Sequence, residues 1–266
     1  MEALLQNNVL HAKLLLDLLS EFPPEEYFCV STDKAANPVN IMGASKRIME
    51  DVIFAYSDMF PVKTARFANV AFSNGSLPAG FLARLQKLQP LSAPSDVKRY
   101  FVSPEESGQI CMLSCMLGEN REIFFPKLNE EQMMSFDKIA TFLLQEHGYE
   151  VLECNSDSEA IDKANALKIG CNQYPVHFSC SDTVGEKVYE EFYTDMESTD
   201  LKRFKALGIV TNKSIPDKER IRILFEDLNV AFSKYENTKE EIVSILQAYL
   251  PNFEHIETGK SLDGKM

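Results

Sequence analysis

The first part of the chain alternates between amphipathic helical patterns and short apolar runs, and this alternation limits the possible folds more than any other feature. Apolar residues recur at helical spacing over 2–20 and again over 41–57. Each pattern is followed by a predicted strand: 26–31 is a short, mostly apolar run with little alternation, and 62–68 has the sequence VKTARFA. Such runs are typical of parallel strands covered on both faces. The order predicts an α/β fold with a doubly wound parallel sheet.

Later patterns extend this prediction. Asn40 is placed to cap the helix at 41–57, and Ser135 is placed to cap a helix that ends at Gly148. We expect residues 90–99 to form an exposed loop. The other predicted elements are helices at 77–89, 104–117 and 157–167 and strands at 122–125, 150–154 and 174–179.

The glycines lack the pattern that opens most doubly wound nucleotide-binding domains. That pattern is a strand followed by a glycine-rich turn into a helix. The eleven glycines never fall in it, and the first predicted element is a helix. We therefore expect an incomplete Rossmann-like sheet that lacks its opening strands.

Charge and cysteine usage exclude several classes of function. The formal net charge of −13 argues against binding to nucleic acid, which needs clustered lysine and arginine. The six cysteines form no Cys-x-x-Cys pair, so we expect no metal site and reduced thiols in the cytoplasm. No signal peptide is recognisable, and no apolar run is long enough to span a bilayer.

The stretch from Ser31 to Lys34 places reactive side chains after the first predicted strand. Thr32, Asp33 and Lys34 lie just beyond its carboxyl end, the edge of an open α/β sheet where ligands bind. A carboxylate and an amine side by side suit acid–base catalysis. Met42 and Lys46 would share one face of the next helix. The alternative from the residues alone is a solvated loop followed by a solvent-facing lysine.

Long motifs resemble a known family. The sequence STDKAANPVNIMGASKRIME is similar to a segment of the extended short-chain dehydrogenases/reductases, and within them to the UDP-N-acetylglucosamine 4,6-dehydratases of polysaccharide biosynthesis. The similarity continues through RFANVAFSNGS, RYFVSPEESGQI, FPKL, SDTVGEKVYEEFYT, DLKRFKALGI and ETGKSLDGKM. It covers essentially the whole chain.

The resemblance implies a reaction that uses NAD. In this family the hydroxyl on sugar carbon 4 is oxidised by hydride transfer to NAD, and the ketone acidifies the proton on carbon 5. A base removes that proton, an acid protonates the leaving hydroxyl of carbon 6, and the hydride returns there. The product is a UDP-4-keto-6-deoxy-N-acetylhexosamine for bacterial surface polysaccharide or nonulosonic acid synthesis.

The resemblance also implies roles for individual residues of the quoted stretch. Asp33 matches the acid, Lys34 the base at carbon 5, and Thr32 the hydroxyl that orients the sugar. Lys46 matches the lysine that binds the nicotinamide ribose. Most of the superfamily has tyrosine where this chain has Met42, and a thioether cannot transfer a proton. The group that deprotonates the carbon 4 hydroxyl is therefore open, with a water held by Thr32 as one candidate. Met42 also argues against a simple tyrosine-dependent reductase or epimerase.

Further positions follow from the same resemblance. The residues implied in cofactor binding are Ser31, Lys46 and Asn69. The residues implied in substrate binding are Asn8, Asn69, Ser73, Asn74, Ser76 and Arg99, with Asn7 as an alternative to Asn8. Read without the resemblance, the loop 69–76 is a polar turn and Arg99, like Lys98, is a solvated loop charge.

The resemblance divides the chain into a partial NAD-binding domain, 1–126, and a substrate-binding C-terminal α/β region, 127–266. Because no glycine-rich turn is present, we expect weak NAD binding. Two alternatives remain open: an inactive remnant that binds UDP-sugar or a partner, and a UDP-sugar epimerase or reductase. The helices at 2–20 and 41–57 resemble the pair that forms the dimer interface, with Met49 and Phe54 among possible subunit contacts, so we expect a homodimer or a higher homo-oligomer.

Overall fold

A computed structural model describes residues 1–168, 170–181, 191–211, 214–234 and 237–255. In these residues the helices are α1 Glu2–Leu5, α2 His11–Glu21, α3 Ile41–Phe54, α4 Leu77–Gln86, α5 Pro104–Leu117, α6 Phe136–Glu146, α7 Asp157–Asn165, α8 Lys218–Ser233 and α9 Lys239–Tyr249. The strands are β1 Tyr27–Thr32, β2 Val62–Phe67, β3 Asn69–Val70, β4 Leu91–Pro94, β5 Lys98–Arg99, β6 Phe101–Val102, β7 Glu122–Pro126, β8 Met134–Ser135, β9 Glu150–Cys154, β10 Gln173–Ser179, β11 Thr199–Asp200 and β12 Leu207–Val210.

The chain forms two compact units. The first contains Met1–Phe67, Gly108–Lys127 and the described residues from Glu191 to His255. The second contains Ala68–Ser107 and the described residues from Leu128 to Ser181. The chain passes between the units several times, whereas the division expected from the sequence has one boundary after Pro126. That division into a cofactor and a substrate domain stays a prediction.

The first unit contains a five-stranded sheet in the order β1-β2-β7-β12-β11. Strands β1, β2 and β7 are parallel, and β12 and β11 join them antiparallel. The predicted α/β fold with a parallel sheet is therefore confirmed. Every residue of β2 is buried, as expected of a central strand with no alternation. In the described residues β1 pairs only with β2, so β1 is an edge strand.

The second unit contains the parallel three-stranded sheet β4-β10-β9 and two short pairs, β3 with β6 and β5 with β8. Its core is formed by α4, α6 and this sheet; its most deeply buried apolar side chains are Phe81, Leu91, Ala93, Ala140, Leu144, Tyr174 and Val176.

The predicted exposed loop at 90–99 is wrong, because β4 and β5 lie within it. Leu91 and Ala93 are fully buried and alternate with partly buried residues. The partner of β4 is β10, which lies more than eighty residues away in sequence, at Val176–Ser179. A strand that depends on such a distant partner is invisible to a local pattern. Pro94 is tolerated because β4 is an edge strand.

The predicted apolar face of the first helix is only partly correct. Leu5 and Val9 are buried, but Leu14, Leu15 and Leu18 are exposed, and Leu16 is buried instead. Leucines occupy more than one face of α2, so spacing alone does not identify the face that packs. A π-helical turn at Gln6–Leu10 also interrupts the predicted continuous helix.

Met49 and Phe54 are buried in the core of the chain, so their suggested subunit contacts are wrong. Two predicted motifs cannot be compared with the structure in full: residues 182–190 of SDTVGEKVYEEFYT and all of ETGKSLDGKM lie outside the described residues.

Candidate active site

A tight turn after β1 brings the three predicted reactive side chains together. Thr32 is the N-cap of a single 3₁₀ turn, Asp33–Ala35. The Oδ1 atom of Asp33 accepts hydrogen bonds from the Thr32 hydroxyl at 2.8 Å, the Lys34 backbone N–H at 2.9 Å and the Lys34 ammonium at 3.2 Å. Asp33 is only 2% exposed, whereas Thr32 and Lys34 are half-buried. A solvated loop would not show this convergence on one buried oxygen.

The start of α3 lies against this turn. Asn40 caps the helix as predicted, since its side chain accepts a hydrogen bond from the Gly43 N–H at 2.9 Å. A Cβ atom on Gly43 would lie 2.6 Å from the Lys34 carbonyl oxygen and 3.3 Å from the Pro38 side chain. Glycine is therefore required for this close approach. The sequence analysis did not identify Gly43, although a glycine inside a helical pattern is a recognisable signal.

Lys46 projects from α3 toward the same strand. Its Nζ atom donates to the Val30 carbonyl at 3.2 Å and lies 3.7 Å from the Met49 sulfur. Lys46 and Met42 are half-buried and one helical turn apart, so they share a face as predicted. The predicted pairing of Lys46 with nicotinamide ribose stays a prediction.

The structure distinguishes the two candidate asparagines of the first helix. Asn8 donates from Nδ2 to the Ser45 hydroxyl at 3.0 Å, next to Lys46, whereas Asn7 faces His11 on the exposed side. Asn8 lies in the π-helical turn, a distortion that often occurs at functional sites. Its role in shaping the site stays a prediction.

Ser31 faces a buried charged cluster that the sequence analysis missed. Its hydroxyl donates to Glu50 Oε1 at 2.6 Å, and Arg66 donates to both Glu50 oxygens at 2.9 and 2.8 Å. Arg66 also donates to both oxygens of Glu197, at 2.7 and 2.9 Å. The available signal was an arginine within the predicted strand at 62–68. The predicted role of Ser31 in cofactor binding stays a prediction.

The charges of the cluster stabilise one another. Burial works against ionisation of Glu50, but the charge and hydrogen bonds of Arg66 outweigh it and hold the pKa of Glu50 below its ordinary value of 4.5. Burial likewise opposes the charge of Arg66, but Glu50 and Glu197 raise the pKa of the guanidinium. Both groups are therefore charged at neutral pH.

The remaining candidates belong to the second unit. Asn69 donates to the Tyr100 carbonyl at 3.3 Å, Ser76 caps α4, and Asn74 is exposed on the turn before Gly75, whose φ is 78°. Arg99 is 4% exposed and donates to the Lys98 carbonyl, so the alternative of a solvated charge is wrong for Arg99. Ser73 is half-buried in the turn. Their roles in substrate binding stay predictions.

The sequence matches the family described as Polysaccharide biosynthesis protein over residues 1–212. The chain belongs to this family. No helix in the described ranges is long and apolar enough to cross a membrane.

Two of the similar proteins are named as enzymes of nucleotide sugars. The chain is 24% identical over 90% of its length to the uncharacterized membrane protein MJ1061 of Methanocaldococcus jannaschii and covers 68% of that protein. It is 28% identical over 47% of its length to a UDP-N-acetylglucosamine 4,6-dehydratase (inverting) of Campylobacter jejuni. It is 29% identical over 48% of its length to a UDP-glucose 4-epimerase of Rickettsia canadensis. The chain spans 39% of each of these two enzymes.

Solved structures have the same fold. Pen from Bacillus thuringiensis matches with a TM-score of 0.62 at 17% identity, over 84% of this chain and 68% of Pen. DesIV, a dTDP-glucose 4,6-dehydratase from Streptomyces venezuelae with NAD bound, matches with a TM-score of 0.52 at 16% identity, over 70% of this chain and 57% of DesIV. The chain therefore has the Rossmann-like fold of sugar-nucleotide dehydratases and epimerases.

The residues after β1 and the glycines bear differently on the NAD that the resemblance implies. The amine of Lys46 and the hydroxyl of Thr32 lie toward the carboxyl end of a parallel strand, the edge of an open α/β sheet at which ligands bind. The 266 residues contain no glycine-rich phosphate turn, so they do not themselves supply a pyrophosphate cradle of that type.

Proposed function

We propose that this chain carries the sugar side of the active site of a nucleotide-sugar 4,6-dehydratase that acts on UDP-N-acetylglucosamine. One observation carries the proposal: a buried carboxylate, a hydroxyl and an amine meet at Asp33 Oδ1, at the carboxyl end of β1. Membership of the polysaccharide biosynthesis family and similarity to a UDP-N-acetylglucosamine 4,6-dehydratase support the reaction class.

The proposal includes an internal proton transfer that prepares both catalytic groups. The Lys34 amine lies 3.2 Å from Asp33 Oδ1. A proton passed from Lys34 to Asp33 leaves a neutral amine, which can remove the proton from carbon 5. It also leaves a protonated carboxyl, which can give that proton to the departing carbon 6 hydroxyl and release water. Both groups then return to their starting states for the next turnover.

The other residues bind and orient the sugar. The Thr32 hydroxyl, which donates to Asp33 in this structure, can instead orient the carbon 4 hydroxyl or a water. Met42 supplies contact surface and no proton. Bound NAD would supply the oxidation at carbon 4 and the closing reduction at carbon 6. We expect the NAD affinity of this chain to be weak because it has no glycine-rich turn.

Incubation with UDP-N-acetylglucosamine and NAD tests the proposal. We expect a 4-keto product, detected by absorbance or by NMR. Lys34→Ala should lower the rate by about 10²- to 10⁴-fold, which is the usual contribution of a general base. Lys87→Ala, at an exposed lysine of the second unit, is the matched control and should keep the wild-type rate. A Lys34→Ala variant that forms product at the normal rate refutes the assigned base.

Two other outcomes favour the alternatives. Binding of UDP-N-acetylglucosamine without product, measured by calorimetry in the presence of NAD, indicates a remnant that binds sugar only. Formation of a carbon 4 epimer indicates an epimerase, the activity of the Rickettsia relative. Further proposals are a homodimer formed through α2 and a cytoplasmic location, the latter supported by six free cysteines in the described residues.

A further inference from the structure

The buried charged cluster of Ser31, Glu50, Arg66, Glu197 and Arg47 adjoins the candidate active site through Ser31, the residue directly before Thr32. Glu50 and Arg66 are fully buried, and Arg66 makes paired hydrogen bonds to both carboxylates. Arg47 completes the cluster at 3.2 Å from Glu197 and 3.7 Å from Glu50. Two arginines balance two glutamates, so the cluster is electrically neutral as a whole.

Glu50 connects the two parts of the candidate site. It belongs to α3, one helical turn after Lys46, and its Oε1 accepts the hydroxyl of Ser31, the residue directly before Thr32. Lys46 donates to the carbonyl of Val30, the residue directly before Ser31. Glu50 and Lys46 therefore hold adjacent residues of β1 from the same helix.

Stability alone does not account for this arrangement. Removing charges from water costs several kcal/mol per ion, and a buried ion pair often gains nothing over well-packed apolar residues. Paired hydrogen bonds between a guanidinium group and a carboxylate, however, fix the distance and orientation of the two groups, which contacts between apolar side chains do not. Arg66 makes two such pairs and a further hydrogen bond to the Phe192 carbonyl at 2.9 Å, so it has little freedom to move.

We propose that Glu50, held by Arg66, which is itself paired with Glu197, is a positioning residue that sets Lys46 relative to the turn Thr32–Lys34. It acts through Ser31 and touches neither sugar nor cofactor. The inference rests on the proposed function, because only there are Lys46 the amine on the nicotinamide side and Asp33 and Lys34 the acid and base on the sugar side.

The test measures the reactivity of individual lysine amines, which does not depend on turnover. Wild-type and variant chains are acetylated for short times over a range of pH, and mass spectrometry gives a rate for each lysine. In Glu50→Gln and in the milder Ser31→Ala we expect Lys46 and Lys34 to react about fivefold faster, as after loss of one hydrogen bond. Only variants that remain folded in thermal melts at the assay temperature are compared.

Lys63 distinguishes positioning from general loosening. It lies on β2 in the same unit, is 1% exposed, and donates to the Cys115 carbonyl at 2.7 Å. If Glu50 positions the site, Lys63 keeps its wild-type rate while Lys46 and Lys34 change. Equal acceleration of all three lysines, or unchanged rates at Lys46 and Lys34 in both folded variants, overturns the inference.

The outcome is separable from that of the proposed function. If wild-type protein forms no product from UDP-N-acetylglucosamine and NAD, the proposed reaction fails, but the acetylation rates still report whether Glu50 orders the two lysines. If product forms, Ser31→Ala should lower kcat with little change in KM, since substrate-contacting groups are retained. An unchanged kcat in folded Ser31→Ala also counts against the inference.

Discussion

At the scale of single residues, Gly43 limits the candidate site most directly. Its missing side chain allows the first turn of α3 to lie against the Lys34 carbonyl. The backbone N–H of Gly43 also donates the hydrogen bond that the side chain of the Asn40 cap accepts. The absence of a side chain at Gly43 therefore decides how closely α3 approaches the turn that contains Asp33 and Lys34.

We predict that Gly43→Ala lowers both stability and activity. The new Cβ would be 2.6 Å from a backbone oxygen, so the turn or the helix has to shift, at a cost of about 1–3 kcal/mol for overpacking. Urea unfolding measures the stability, and the UDP-N-acetylglucosamine assay measures the activity.

Gly80→Ala is the matched control. Gly80 lies inside α4, and a Cβ there would meet nothing within 4 Å. Alanine in a helix is favoured over glycine by about 0.5–1 kcal/mol, so this variant should be at least as stable as the wild type. A Gly43→Ala variant that behaves like Gly80→Ala would show that the close approach is unimportant.

At the scale of secondary structure, α3 is joined to β2 by the ion pair of Glu50 with Arg66 and to β1 by the hydrogen bond of Glu50 with Ser31. The elements themselves follow from local patterns: α3 begins at its predicted cap, and β1, β2 and β7 lie close to the strands predicted at 26–31, 62–68 and 122–125. Their relative placement depends on side chains that meet only in the folded chain.

This junction should make stability depend on pH through Glu50. Its pKa in the folded protein is below 4.5, so the stabilisation is fully present above about pH 4.5 and is lost as the pH falls through the folded pKa. At pH 7 we expect Glu50→Gln to be about 3–5 kcal/mol less stable than wild type, because Arg66 loses a buried partner. The difference should narrow below pH 4.5.

Urea unfolding at a series of pH values measures this difference. Glu226→Gln is the control, because Glu226 pairs with Arg222 on the exposed face of α8 and should matter little. A difference between wild type and Glu50→Gln that stays constant at low pH would contradict the role given to the Glu50 charge.

At the scale of the whole molecule, the exposed face of α2 is the surface through which we propose that the chain self-associates. Leu14 and Leu18 are 64% and 57% exposed, and Leu15 is also exposed. Clustered exposed leucines on one helix are unfavourable in a monomer and are typical of an interface. This agrees with the homodimer that the family resemblance implies.

We predict that Leu14→Glu with Leu18→Glu converts the protein to a monomer. The free-energy cost of burying two carboxylates in an apolar interface exceeds the free energy that the interface contributes to association. Size-exclusion chromatography with light scattering measures the mass. Met112→Glu with Met116→Glu, on the exposed side of α5, is the matched control and should leave the mass unchanged. If only the variant with Met112→Glu and Met116→Glu loses the dimer, the interface lies on α5 and not on α2.

Elements with local signals could be read from the sequence. A mostly apolar run marked β1, a capping asparagine marked the start of α3, and the order Thr32, Asp33, Lys34 after a strand marked the candidate site. These features depend on neighbours within a few residues, so a pattern is enough to read them.

Which distant residues meet is visible only in the folded chain. β4 needed β10 from more than eighty residues away, Arg66 needed Glu197, and Gly43 mattered only because α3 lies against the Lys34 carbonyl. The buried face of α2 was likewise chosen by packing, since its leucines point in several directions. The physical reason is that burial and ion pairing are properties of contacts between remote segments, which local sequence patterns do not encode.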